Sequence, residues 1–208
     1  LLVAGYRSLG VLAREAIRPF DLARDGFLLG EGAGIVILEN EETAKGRGAE
    51  IYGHVLGHVY GFEATDPISF SDQGEGLTRC LKNLVRKANV APREIDYLNL
   101  HGTGTRDGDR YETKQIKAAF GRDAFGISMS STKSLTGHML GASGVVELIA
   151  SLVAMRDGLI PPTANLTQPD PECDLDYTPV HSKKASVTVA CSISMGFGGH
   201  LGAILVVK

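Results

Sequence analysis

Apolar residues recur at three- and four-residue intervals at Leu77, Leu81, Leu84, Val85 and Ala88. That interval gathers them on one helical face, so the spacing predicts a helix over residues 74–89. Residues 107–120 place Asp107 and Asp109 in what would be a first turn, where carboxylates meet the positive end of the helix dipole; a second helix is expected there. Val145, Leu148, Ile149 and Leu152 repeat the helical interval, and Gly158 followed by two prolines closes it. The short apolar runs between these stretches read as strands. AGIVIL at 33–38 is entered through glycines and is expected to be a buried strand. EIYGHVLGHVY at 50–60, the end of APREIDYLNL at 91–100 and GISMSS at 126–131 are further strands. Residues 187–194 and 201–207 form two last strands, close enough in sequence to pair antiparallel. EETAKGRG at 41–48 predicts a short helix that stops at glycine. Residues 159–185 are rich in Pro and Asp, show no period, and read as a long surface connection.

Strands alternate with helices, the pattern of an α/β layered domain. The terminal antiparallel pair makes the expected sheet mixed. Three polar loops each follow an apolar strand: 101–105, 131–144 and 196–200. Ligands of open α/β sheets bind beyond the carboxyl ends of strands, so these loops are expected to surround one pocket. The first is HGTGT, headed by His101. The second carries Lys133 and His138, then Gly141, Ala142 and Gly144 as the helix begins. Small residues there leave backbone N–H groups open to an oxyanion or carboxylate. Glu147 falls in the first turns of that helix, within range of pairing with Lys133. A lone histidine after a strand is more often a satisfied loop residue than a catalyst, and a loop lysine is usually a solvated charge. Two histidines in two Gly- and Thr-rich strand-to-helix loops are harder to dismiss.

Composition removes several classes of function. The chain has 208 residues, 43% apolar and 22% charged, with a net charge of −3. That balance is ordinary for a globular protein and offers no electrostatic basis for binding nucleic acid. No apolar stretch is long enough to span a bilayer, and no membrane association is expected. The start, LLVAGYRSLG, has no leader pattern; it begins in mid-pattern without methionine, which predicts a fragment. Cys80, Cys173 and Cys191 are far apart and form no CxxC, against a disulfide framework or zinc site; a reducing cytoplasm is expected. His54 and His58 share a strand face without a carboxylate or thiol to join them, so no metal site is expected. GEGAG at 30–34 lacks the last glycine of the dinucleotide fingerprint and leads toward a strand. Walker A and GxSxG patterns are missing, and Cys191, within VTVAC, reads as core.

PFDLARDGFLLGEGAGIVILE, HGTGT, SSTKSLTGHMLGASGVVE, PPTANLTQPDPECDLDY and MGFGG occur in this order. Over almost the whole chain this series resembles the β-ketoacyl-(acyl carrier protein) synthases, the elongating ketosynthases of the thiolase superfamily. The resemblance implies a thiolase-like layered fold, a mixed β-sheet flanked by helices. It divides the chain into residues 1–48, the end of the N-terminal half, and residues 49–208, the C-terminal half-domain. It implies a decarboxylative Claisen condensation of malonyl-acyl carrier protein with an acyl thioester held on a cysteine, in fatty acid or polyketide elongation. His101 and His138 match the paired histidines that donate hydrogen bonds to the malonyl thioester oxygen; Lys133 and Glu147 match the lysine and its carboxylate partner. Thr103 and Thr105 match positions that bind the phosphopantetheine arm, and Phe197, followed by Gly198, matches the gating phenylalanine. No cofactor is implied beyond the carrier's phosphopantetheine. The implied partners are the acyl carrier protein, the N-terminal ketosynthase half, and an identical or ketosynthase-like subunit in a dimer.

Two departures qualify the match. None of the three cysteines falls at the nucleophile position, which lies upstream of the segment seen here. The last loop reads SISMGFGGHLG, so Ile193, Met195, His200 and Leu201 replace typical residues; this implies a specialised enzyme, of a polyketide or polyene pathway. A non-catalytic subunit of the chain-length-factor kind is the alternative, although such subunits often lose the histidines and lysine retained here. A degradative thiolase shares the GHxxGASG-like loop but needs a C-terminal CxG loop where this chain has MGFGG.

Overall fold

In the computed structural model, residues 1–63, 70 and 74–208 are described. The helices in chain order are α1 (Leu2–Ser8), α2 (Glu41–Gly46), α3 (Gly76–Ala88), α4 (Arg106–Phe120), α5 (Lys133–Thr136) and α6 (Ser143–Asp157). The strands are β1 (His54–Phe62), β2 (Tyr97–Asn99), β3 (Ser128–Ser130), β4 (Leu159–Ile160), β5 (Lys183–Lys184), β6 (Val189–Gly196) and β7 (His200–Val207). The three long periodic segments are helices within a residue or two of their expected limits. α3 stops at Asn89 and α6 at Gly158, both left-handed, a conformation that Asn and Gly tolerate best.

Five strands form one sheet in the order β1-β7-β6-β2-β3. β2 runs parallel to β3 and β6, and β7 runs antiparallel to β6 and β1. The sheet is mixed, as expected. Alternation along β7 shows how the layers stack. Leu201, Ala203 and Leu205 join a core with Leu77, Leu81 and Leu84 of α3, whereas Val206 joins a second core with Ala154 and Met155 of α6. Successive strand residues point to opposite faces, so α3 and α6 cover opposite faces of the sheet. The helices carry the apolar stripes that those faces require. No helix among the described residues is long and apolar enough to cross a membrane.

One expectation fails and a second holds only in part. Residues 33–38 are not a buried strand: they join no ladder, and Ile35, Ile37 and Leu38 are 88%, 78% and 73% exposed. The run lies outside the sheet and touches α6 through Gly34, where an added Cβ would stand 3.0 Å from Val145. An apolar run records that a segment needs cover, not which surface supplies it. Residues 159–185 are only in part a surface connection: 167–169 and 179–184 are exposed, but the stretch is anchored in the core. Ile160, Thr163, Leu166, Cys173 and Tyr177 are buried, and β4 pairs with β5. Single anchors hold this segment rather than a periodic face. Tyr177 stacks on Phe20 at 3.9 Å, and the Thr163 hydroxyl donates to the Tyr177 carbonyl while accepting from the Ser131 N–H.

Candidate active site at the carboxyl ends of the strands

His101 lies just beyond β2, in a loop held from below by α4. The N–H groups of His101 and Gly102 donate to the two oxygens of Glu112, each at 2.8 Å. Asp109 accepts from the Gly104 N–H at 3.1 Å and from the Phe20 N–H at 2.7 Å. The glycines follow from the crowding. Gly102 has φ +32 and a Cβ there would lie 2.6 Å from Ser131; Gly104 has φ +79 and would meet the Gly26 carbonyl at 2.8 Å. Burial pushes the Asp109 carboxyl up to about 6 and the Glu112 carboxyl up to about 7, with their N–H donors pulling the other way. Sequence pattern alone assigns neither carboxylate a role. The legible signal is an acid pair at i and i+3 on the helix that follows HGTGT.

His138 follows α5. Its N–H donates to the Leu28 carbonyl at 2.8 Å, and its carbonyl accepts from Gly30 at 3.0 Å, tying the second loop to the 28–30 stretch. The imidazole lies edge-on to Phe27, with centroids 5.0 Å apart, and edge-on to His101 at 5.6 Å. Nδ1 of His138 accepts from the Leu140 N–H at 3.2 Å, and Ser143 Oγ lies 3.1 Å from it. A backbone N–H can only donate, so Nδ1 is the acceptor and the ring proton sits on Nε2.

Lys133 and Glu147 form an ion pair, with side chains 1% and 3% exposed. Burial raises the Glu147 carboxyl, and the lysine pulls it back down. The ammonium also reaches Nδ1 of His101 in a long contact of 3.5 Å, which again leaves Nε2 as the protonated nitrogen. Burial, then the Lys133 charge, hold His101 well below the ordinary imidazole range; the same causes bring His138 down to about 3. Both rings are neutral at physiological pH.

A cavity of about 450 Å³ opens here, with walls that include Val11, Phe27, His101, Thr103, Thr105 and Phe197. The two threonine hydroxyls lie 3.1 Å apart. Phe197 sits at the tip of the β6–β7 hairpin, 41% exposed, with its ring 6.0 Å from Tyr6. Gly198, beside it at φ +79, shapes the tip but is not part of the cavity wall. The tip is tied to the end of β1. The Glu63 N–H donates to the Gly199 carbonyl at 2.8 Å, and Tyr60 hydrogen-bonds His200 Nδ1 at 2.5 Å. The Glu63 carboxylate in turn accepts from the Gly76 N–H and the Tyr111 hydroxyl. Lys133 and Glu147 do not line the cavity, and the half-buried His138 adjoins it beside His101, whose ring is 5.6 Å away. The three cysteines are buried and free, with burial raising all three thiols, Cys173 to about 11 and Cys191 to about 12. Such thiols carry little thiolate and are poor nucleophiles. Among the described residues no group of three or more His, Cys, Asp or Glu is placed to hold a metal.

The paired neutral imidazoles, at the carboxyl ends of a mixed sheet that helices cover on both faces, define a thiolase-like ketosynthase half. The chain belongs to the β-ketoacyl synthase family: residues 52–167 match its C-terminal domain and residues 1–44 its N-terminal domain. It is 48% identical over 206 residues to the 3-oxoacyl-(acyl-carrier-protein) synthase 2 of Synechocystis, covering 96% of this chain and 50% of that protein. Among solved structures, the ishigamide ketosynthase/chain length factor superposes with a TM-score of 0.95 at 34% identity, over 100% of this chain and 50% of that one. A type II PKS acyl-carrier protein in complex with its ketosynthase, bound to a hexaketide, superposes equally, with a TM-score of 0.95 at 36% identity over 99% of this chain and 52% of that one. The chain thus spans about half the length of the relatives it matches.

Proposed function

We propose that this chain supplies the decarboxylation and carrier-binding side of a β-ketoacyl-(acyl carrier protein) synthase. The whole protein condenses a malonyl unit with an acyl thioester to elongate a fatty acid or polyketide. The observation that carries this reading is the pair of neutral imidazoles in contact, both holding a proton on Nε2. Loss of carbon dioxide from a malonyl thioester leaves the bonding electron pair on the α-carbon, delocalised onto the thioester oxygen. Donors already aimed at that oxygen stabilise the enolate without reorganisation. The α-carbon then attacks the acyl carbonyl, and the cysteine thiolate of the N-terminal half departs. An imidazolium would lose its proton to the enolate and quench it. The Lys133 ammonium, held by Glu147, therefore serves the reaction through its charge, which adds to burial in keeping both rings neutral.

The spans matched to the two family domains, 1–44 and 52–167, support a boundary near residues 48 and 49. Residues 1–48 then end the N-terminal half, and 49–208 form the C-terminal half-domain. The substrates arrive on the phosphopantetheine of an acyl carrier protein, and Thr103 and Thr105 contact that arm along the cavity. The partners are the N-terminal half and an identical or ketosynthase-like second subunit. Three free thiols suit a reducing cytoplasm. Retention of both histidines and the lysine favours the catalytic subunit over a chain-length-factor role.

The test uses the whole protein. With His101→Ala or His138→Ala, carbon dioxide release from malonyl-acyl carrier protein is expected to fall by about two to three orders of magnitude, the effect of losing one oxyanion donor. Acyl loading of the cysteine, followed by mass spectrometry, falls less. Parental rates of carbon dioxide release in both variants would end the assignment.

A further inference from the structure

The wall of the cavity has a direction. His101 and Thr103 are 8% and 7% exposed, Thr105 is half-buried, and Arg106 is exposed; all four line the same cavity. His101 and Thr103 are therefore equally buried, and exposure rises through Thr105 to Arg106, which places His101 toward the closed end and Arg106 toward the open one. Asp25 and Asp107 also line the cavity and, like Arg106, are exposed. Asp107 is met by Arg110 at 3.1 Å, and Asp25 accepts the Arg14 N–H at 3.3 Å. Arg24, nearby, is buried and committed to Asp170, to Asp109 and to the Arg106 carbonyl. No hydrogen bond or ion pair to a described residue engages the Arg106 guanidinium.

Resting on the reading of this cavity as the pantetheine channel, we propose that Arg106 binds the phosphate of the carrier-linked arm and makes the site selective for phosphorylated pantetheine. A thioester delivered to His101 on a tether must leave the cavity by its open end. The one formal charge on that tether is its phosphate, at the end farthest from the thioester. A guanidinium presents forked donors that match two phosphate oxygens. Asp25 makes the rim unfavourable for an anion, and Arg106 offsets it. Without the arginine, the rim repels the phosphate.

The experiment measures binding of a hydrolysis-resistant amide analogue of acyl-pantetheine, with and without its 4′-phosphate, to the whole protein. In the parent, the phosphorylated analogue is expected to bind about three- to fivefold more tightly at low ionic strength, with the preference shrinking as salt rises. Arg106→Gln removes or reverses the preference, and Arg106→Lys keeps part of it. Equal binding of the two analogues to the parent, or an unchanged preference in Arg106→Gln, overturns the role of Arg106 while leaving the channel in place. Failure of both analogues to bind the parent overturns the channel reading itself.

Discussion

His138 shows how much a single residue depends on its surroundings. Its pKa falls from 6.5 to about 3 because burial and the Lys133 charge disfavour the cation. A base whose folded-state pKa is depressed contributes stability that is fully present above 6.5 and is lost as pH falls toward the folded value. An NMR titration of the His138 ring should therefore show it neutral down to about pH 4, with part of the acid destabilisation of the protein following the 6.5-to-3 window. A ring midpoint above 6 would contradict the assigned environment. Glu147 acts on the same balance from the other side. Replacing it leaves a buried ammonium without its counter-ion, a costly arrangement. Glu147→Gln is expected to lower turnover at least tenfold while carrier-protein binding, measured directly, stays near the parental value. Unchanged turnover would make the carboxylate a structural group only.

At the scale of elements, the β6–β7 hairpin is held at its tip as well as along its ladder. Gly199 has φ +76, and a Cβ there would stand 2.0 Å from the Glu63 carbonyl oxygen. Gly199→Ala is expected to cost about 1–3 kcal/mol from the left-handed backbone alone, with a further penalty for the overlap. The hairpin tip carries Phe197, so affinity for cavity ligands should fall as well. Gly48→Ala is the matched control, since Gly48 has φ +70 and nothing lies within 4 Å of its added Cβ. Equal denaturation midpoints for the two variants would mean that the tip is not clamped. Helix α4 does comparable work for the first loop. Its buried Asp109 and Glu112 hold four backbone N–H groups from the 101–104 stretch and Phe20, so the loop's shape is set by the helix that follows it.

For the whole molecule, the run at Ile35, Ile37 and Leu38, 88%, 78% and 73% exposed, is a conspicuous apolar surface that the described fold leaves uncovered. Exposed apolar patches of this kind favour association, and each isoleucine buried in a partner surface contributes about 1.5–3 kcal/mol. The 208-residue chain alone is expected to self-associate in size-exclusion chromatography, and the double variant Ile35→Ser, Ile37→Ser to do so less. Co-expression with the N-terminal ketosynthase half proposed above as its partner should yield a discrete complex that the double variant weakens. A monodisperse parental monomer would show that this run needs no partner.

The amino-acid sequence by itself determined the periodic elements. α3, α4 and α6 follow from local spacing and from the Gly and Asn that end them, because a helix satisfies its backbone within the segment. The terminal hairpin follows from two apolar runs and a glycine-rich turn. The motifs HGTGT and STKSLTGHMLGASG also mark the site residues, since unusual residues in strand-to-helix loops stand out locally. The tertiary structure decided what depends on contacts distant in sequence. It brought His101 and His138 to 5.6 Å, chose their tautomers through Leu140 and Lys133, and recruited Asp109 and Glu112 from a helix face that reads as merely polar. It also buried anchors such as Ile160, Thr163 and Tyr177 within the aperiodic stretch 159–185 and left Ile35, Ile37 and Leu38 uncovered. Periodicity reports which side of a segment avoids water; which surface meets that side is a property of the whole chain's packing.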